Sequence, residues 1–264
     1  MRSTHVLGVR FDALSVSDVA DQVADWASAG DARTVLFSGA HGTIEAQDDP
    51  SFRAALNSAD LNVPDGMSAV RAMRARGLRQ DDRVYGPDTT LAVLQRAAER
   101  GLPVALYGST DRVLALLKER LPARVPALQI ADAISPPFRP LTDEEDAAYA
   151  SRLRASGARI VLVGLGCPRQ ERWCIDQADA VGAVCLAVGA AFDFHAGLLR
   201  QAPRWMQRAG LEWAFRLAVE PRRLWRRYAR IVPRFLVGDV LERFRLPRPN
   251  RPNSPSARPS PAGA

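Results

Sequence analysis

The chain has 264 residues, 47% of them hydrophobic and 25% charged, with a formal charge of +7. That is enough to bury a full core as one large domain or one domain plus an appendage. No apolar run approaches the ~18 residues of a membrane span, and the opening MRSTHVLGVRFD is too charged and interrupted for a secretion signal, so the expectation is a soluble, non-exported globular protein.

In chain order, TVLFSGA at 34–40 is the first short apolar run that predicts a buried parallel strand. ADLNVPDGMSAV follows, with Asp65 between Pro64 and Gly66, which places its carboxylate on a tight turn after a short apolar stretch. Such a position suits a general base, but pattern alone favours a cap for the helix MSAVRAMRARG. Arg83, in DDRVYGPD, presents a donor fork suited to phosphate, although a lone loop arginine is more often solvated.

PDTTLAVLQRAAERG and TDRVLALLKERL read as amphipathic helices, each opened by a residue able to cap it and closed by glycine or proline. VALYGS at 104–109, RIVLVGLG at 159–166 and AVCLAVGAAF at 183–192 complete the apolar runs. Alternation of strand and helix predicts an α/β fold, a doubly wound parallel sheet. Gly108, Gly164, Gly166 and Gly189 fall at the carboxyl ends of those strands, where open α/β sheets bind ligands; each alone is also an ordinary tight turn. Neither G-x-G-x-x-G nor a P-loop is present, which removes most support for dehydrogenase and P-loop chemistry.

GLGCPRQERW puts Gln170 and Glu171 in the first turn of a helix behind a glycine-rich strand end, a position that favours anions. Cys167, Cys174 and Cys185 lack C-x-x-C spacing and accompanying histidine clusters, so no disulfide framework and no metal site is expected.

After Leu199 the pattern changes to proline-punctuated helical segments, PRWMQRAG, LEWAFRLAVE, and PRRLWRRYARIV followed by PRFLVGDVLERF. Residues 1–199 carry 21 basic and 25 acidic side chains, whereas 200–248 carry 13 and 4, so the positive charge belongs to one end. The division expected is an α/β domain over 1–199, an amphipathic, arginine-rich helical appendage over 200–246, and a Pro/Ser-rich tail over 247–264 with too little apolar surface to order. Such a basic segment suits nucleic acid, anionic lipid or substrate phosphate, and composition does not choose.

The strings PDGMSAV, RVYGPD, SPPFRPLTDEED, VGLGCPRQERW, VGAAFDFHAG and APRWMQRAGLEWAFRLAVEPRRLWRRY occur in the order and approximate spacing of the WecG/TagA/CpsF glycosyltransferases. The chain resembles that family from about Val6 to Leu236. The resemblance implies a Rossmann-like domain that transfers a sugar from a UDP-sugar to a polyprenyl-diphosphate-linked saccharide. It further implies inversion of the anomeric centre without metal or other cofactor, at the inner face of the plasma membrane, in exopolysaccharide, teichoic acid or common-antigen synthesis. Asp65 then matches the catalytic base, Arg83 a phosphate-region arginine and Gln170 the glutamine of P-x-Q-E, with Gly66, Pro168 and Glu171 beside them. Phe138 and Asp193 match positions near uracil, and Arg216, Arg222, Arg223, Arg226 and Arg227 match appendage arginines that meet the donor diphosphate. Apolar residues of the appendage would rest on an anionic membrane, and a homo-oligomer alternates with appendage docking in some relatives.

One departure concerns the acceptor region. Where many relatives have T-x-N, this chain has Phe37, Ser38 and Gly39, although His41 matches. A competing reading keeps only a nucleotide-binding, membrane-associated module without transferase activity. Nucleic acid is not an expected partner, because no base-stacking sheet or recognition-helix motif is present.

Overall fold

The computed structural model describes residues 2–245, without the side chains of Arg208 and Arg245; the tail expected over 247–264 lies outside the described residues. The chain opens with a hairpin, β1 (Ser3–Val6) and β2 (Val9–Asp12), in antiparallel register with Val6 opposite Val9. Its two-residue turn puts Leu7 at φ 51° and Gly8 at φ 73°, as a twist-matched hairpin turn requires. α1 (Val16–Ala29) starts at a Ser15–Asp18 capping box and ends at Gly30 in the left-handed conformation.

β3 (Arg33–Ser38), α2 (Ala40–Asp48), α3 (Pro50–Ser58), β4 (Leu61–Pro64), α4 (Met67–Ala75) and α5 (Gly86–Glu99) follow. Next come β5 (Val104–Gly108), α6 (Asp111–Arg124), β6 (Ile130–Ile134), α7 (Asp143–Ala155), β7 (Ile160–Gly164), α8 (Arg169–Val181), β8 (Val184–Ala187) and α9 (Ala191–His195). Six strands form one parallel sheet in the order β4-β3-β8-β7-β5-β6, the α/β class expected from the alternating pattern.

Continuous apolar strands arise because both faces are covered. In β7, Ile160 and Leu162 point into the core shared with Val19, Val93 and Leu117, while Val161 and Val163 point into the core shared with Phe52, Leu56 and Trp173. β5 and β8 divide in the same way. This alternation fixes register, because a one-residue slip would exchange the two cores. All carboxyl ends consequently lie along one edge of the sheet, where the glycine turns gather.

Two expected boundaries differ. α5 begins at Gly86 without a side-chain cap of its own, two residues before Asp88, and α6 runs through Pro122 to Arg124 instead of closing at the proline. Pro122 lies in the last turn, so it costs a single terminal hydrogen bond.

The carboxyl-terminal segment forms α10 (Arg204–Ala209), α11 (Glu212–Val219) and α12 (Pro221–Arg245). The break expected at Pro233 is absent: α12 continues through it. Leu224, Ile231, Phe235 and Asp239 recur on one buried face and hold the helix on both sides of the proline. Ile231 and Phe235 join the core of Phe11, Ile44 and Met73, and Arg76 pairs with both Asp239 and Glu242. Glu242 also accepts the Leu7 N–H at 2.7 Å, tying α12 to the hairpin turn.

Candidate active site

Asp65 directly follows β4. Its N–H donates to the Ser38 carbonyl at 2.8 Å, which extends the β3–β4 pairing by one residue and fixes the backbone under the carboxylate. Asp65 does not cap α4, whose N-cap is Gly66 with no side-chain bond. Its Oδ1 accepts instead from Gly86 N at 2.8 Å, at the start of α5. Burial pushes the Asp65 carboxyl up to about 6; the Gly86 N–H, Arg83 and Arg216 oppose that rise and Glu212 adds to it.

Glu171 lies in the first turn of α8, 3% exposed, and burial pushes it up to about 7, with the Asp65 charge contributing. Its Oε1 accepts from Gln170 Nε2 at 3.0 Å, and its Oε2 is buried with no partner. Gln170 braces two strand ends: its Oε1 accepts from Gly166 N at 3.0 Å and its Nε2 also donates to the Ala187 carbonyl at 3.1 Å. Both amide hydrogens are thereby used within the protein. Pro168 occupies the N-cap of α8.

The glycine turns are required by close approach. A Cβ on Gly108 (φ 115°) would stand 2.6 Å from the Gly164 carbonyl, and one on Gly164 would stand 2.6 Å from the Phe192 ring. Gly166, at φ 81°, has open space around it. Gly39 begins α2 with extended backbone, and a Cβ there would lie 3.9 Å from Gly66 N, an ordinary contact. Ser38 is buried. His41 is part-buried beside Arg227 and Arg230, and burial with those charges pushes it down to about 4. Phe37 packs in the core with Val35 and Val63.

Arg83 has both terminal nitrogens engaged by the appendage: Nη1 with Glu212 and Nη2 with Gln207 Oε1 at 2.8 Å. Its guanidinium lies 3.8 Å from the centre of the Tyr85 ring, and the Tyr85 hydroxyl donates to Glu212 Oε1 at 2.7 Å. Tyr85, Gln207 and Glu212 were not predicted from the sequence although all three lie inside family-matching motifs, because only tertiary packing discloses their pairing. Docking is reinforced by Arg71, which donates to the Ala209 carbonyl at 2.8 Å.

The appendage arginines divide by position. Arg216 carries its charge to Asp65 and Asp193, and Arg223 to Asp193, whose own carboxyl is raised by burial. Arg227 faces His41 and Cys167. Arg222, Arg223 and Arg226 are exposed; Arg223 also pairs with Glu220, and Arg226 lies 5.4 Å from the Trp225 ring centre. Phe138 is 83% exposed with Arg169 5.1 Å from its ring centre, and it makes no part of the Asp65 cluster. A cleft of about 560 Å³ opens beside Arg83, lined by residues including Arg2, Ser15, Gln80, Asp82 and Gln207, but not by Asp65.

Among the described residues no three His, Cys, Asp or Glu side chains are placed to hold a metal ion, and no helix is long and apolar enough to cross a membrane. Trp205, Trp213 and Trp225 are exposed on the appendage. The parallel sheet, its glycine-turned edge and the arginine-bearing helices over Asp65 accompany a match of residues 4–249 to the model of the glycosyl transferase WecG/TagA/CpsF family. The chain belongs to that family of glycosyltransferases.

Proposed function

We propose that the protein transfers a sugar from a UDP-sugar to a polyprenyl-diphosphate-linked saccharide, with inversion, at the inner face of the plasma membrane during cell-surface polysaccharide synthesis. Asp65 removes the proton of the acceptor hydroxyl as that oxygen attacks the anomeric carbon on the face opposite UDP. The C–O bond to the donor diphosphate breaks in the same displacement, and its electron pair leaves with UDP. One observation carries this reading: Asp65 combines a fixed backbone, an oriented Oδ1 and a carboxyl raised to about 6, which is the proton affinity a base needs near neutral pH.

Charge on the departing diphosphate requires donors that are already in place. Arg216 and Arg223 supply them beside Asp65 and Asp193, and Arg227 supplies a third toward His41. Arg83 frames the base, and Gln170 holds the glycine loop against which the donor lies. Phe138 and Asp193 are assigned to the uracil end, and Ser38, Gly39 and His41 to the acceptor end. Exposed Trp205, Trp213 and Trp225 beside the basic helices form the membrane-facing surface.

The deciding experiment offers purified protein a panel of UDP-sugars with a polyprenyl-diphosphate-linked acceptor and measures UDP. Release that depends on both partners is expected; binding of UDP-sugar without acceptor-dependent release would favour the non-catalytic nucleotide-binding module.

A further inference from the structure

Glu212 buries a carboxylate at the boundary between the appendage and the α/β domain, with its side chain 15% exposed. Burying a charge is costly unless it is paired and hydrogen-bonded. One oxygen meets Arg83 and the other accepts from the Tyr85 hydroxyl at 2.7 Å. Arg83 and Tyr85 bracket Val84, whose N–H donates to the Pro64 carbonyl at 2.7 Å, immediately before Asp65. Tyr85 is followed by Gly86, whose N–H orients Asp65 Oδ1 at 2.8 Å. A single appendage carboxylate therefore grips the segment that holds the aspartate from both directions.

Glu212 and Arg216 are one helical turn apart on α11, so they share a face. Seating Glu212 on Arg83 and Tyr85 necessarily brings the Arg216 charge to Asp65. Gln207, bonded to Arg83 and through its Nε2 to the Ala202 carbonyl at 2.6 Å, extends the same grip to α10.

We propose that Glu212 is a positioning residue through which docking of the appendage assembles the Asp65 site, with Arg83 and Tyr85 as its receptor; this rests on the reading of Asp65 as the base. Arg83 thus acts through Glu212 as part of the latch, and diphosphate charge is left to the arginines of α11 and α12.

The test compares full-length protein with Glu212→Gln and Tyr85→Phe by hydrogen exchange, steady-state kinetics and a pH–rate profile. Glu212→Gln should speed exchange over both 83–88 and 204–219 and lower kcat/KM ~10- to 100-fold, the scale of a small misplacement of reacting groups. The groups facing Asp65 are the Gly86 N–H, Arg83, Tyr85, Glu171, Glu212 and Arg216. Removing the Glu212 charge and admitting water where α11 lifts both take away raising influences, burial being the largest of them, and these outweigh the withdrawal of the lowering Arg216 charge, so the acidic limb of kcat/KM should move to lower pH. Tyr85→Phe deletes a single hydroxyl and should show a smaller change in the same direction, which keeps the test decisive if Glu212→Gln folds poorly. Unchanged exchange over 83–88 together with an unmoved acidic limb would overturn the proposal, whatever the loss of activity. The base reading fails separately, if Asp65→Asn turns over normally; the exchange response of 83–88 to Glu212→Gln still decides whether Glu212 positions that segment.

Discussion

Gly86 donates its backbone N–H to Asp65 Oδ1 at 2.8 Å, so the aspartate that follows β4 caps α5 and not α4, the helix it precedes. One carboxylate oxygen is thereby committed to orientation, and the other is the one available to a substrate proton. The helix terminus also lowers the proton affinity that burial raises, which leaves the group near 6.

Asp65→Asn preserves shape and loses the basic oxygen. Turnover should fall ~10²- to 10⁴-fold, the usual contribution of a positioned base, with donor affinity within a few-fold of the parent. UDP release and calorimetric titration with UDP-sugar measure the two quantities; near-normal turnover would remove Asp65 from the chemistry.

The pH dependence follows from the same group. A base with its carboxyl at about 6 is ionised above that pH and protonated below it, so kcat/KM should fall about tenfold per unit below pH 6 and be flat just above it. A profile flat down to pH 5 would contradict this assignment.

Glu171 makes a stability prediction of opposite character. Its folded-state value of about 7 exceeds the ordinary 4.5, so its contribution is present below pH 4.5 and lost as pH rises through 7. Glu171→Gln should therefore be more stable than the parent at pH 8 by ~1–3 kcal/mol and nearly equal to it at pH 4.5. Denaturant unfolding at both pH values checks the sign, and equal gains at both would show that ionisation is not the cause.

Appendage arginines should separate into two classes. Arg216→Ala and Arg223→Ala remove charges that reach Asp65 and Asp193, and each should cost ~10²-fold in kcat/KM. Arg222→Ala, exposed like Arg223 but without its influence on Asp193, should alter catalysis less than about threefold while weakening sedimentation with anionic vesicles, at ~1 kcal/mol per charge near the surface. Equal catalytic losses in all three would refute the division.

Gly108→Ala should destabilise the fold by ~1–3 kcal/mol, because its Cβ would enter the Gly164 carbonyl from a backbone angle of φ 115°. Gly166→Ala, with open space but φ 81°, should cost less. Chemical denaturation of both variants ranks them, and the reverse order would refute the crowding argument.

Buried apolar runs, the glycines that close them and the proline-punctuated pattern after Leu199 are local features, and they determined the parallel sheet and the presence of carboxyl-terminal helices. β5, β7 and β8 were legible because both faces of each strand are buried, which leaves an unbroken apolar string. The hairpin β1–β2 was not, since Leu7 stands at φ 51° where Asn or Gly would announce a turn; Glu242 capping its N–H and α12 packing on its side chain hold it there. Continuity through Pro233 likewise depends on the buried face of α12. Asp65 could be read from sequence as either cap or base, and tertiary contact gave it a different helix to cap. The Arg83–Glu212–Tyr85 cluster was decided by tertiary structure alone, because partners separated by about 130 residues leave no periodicity and meet only where the appendage closes over the sheet.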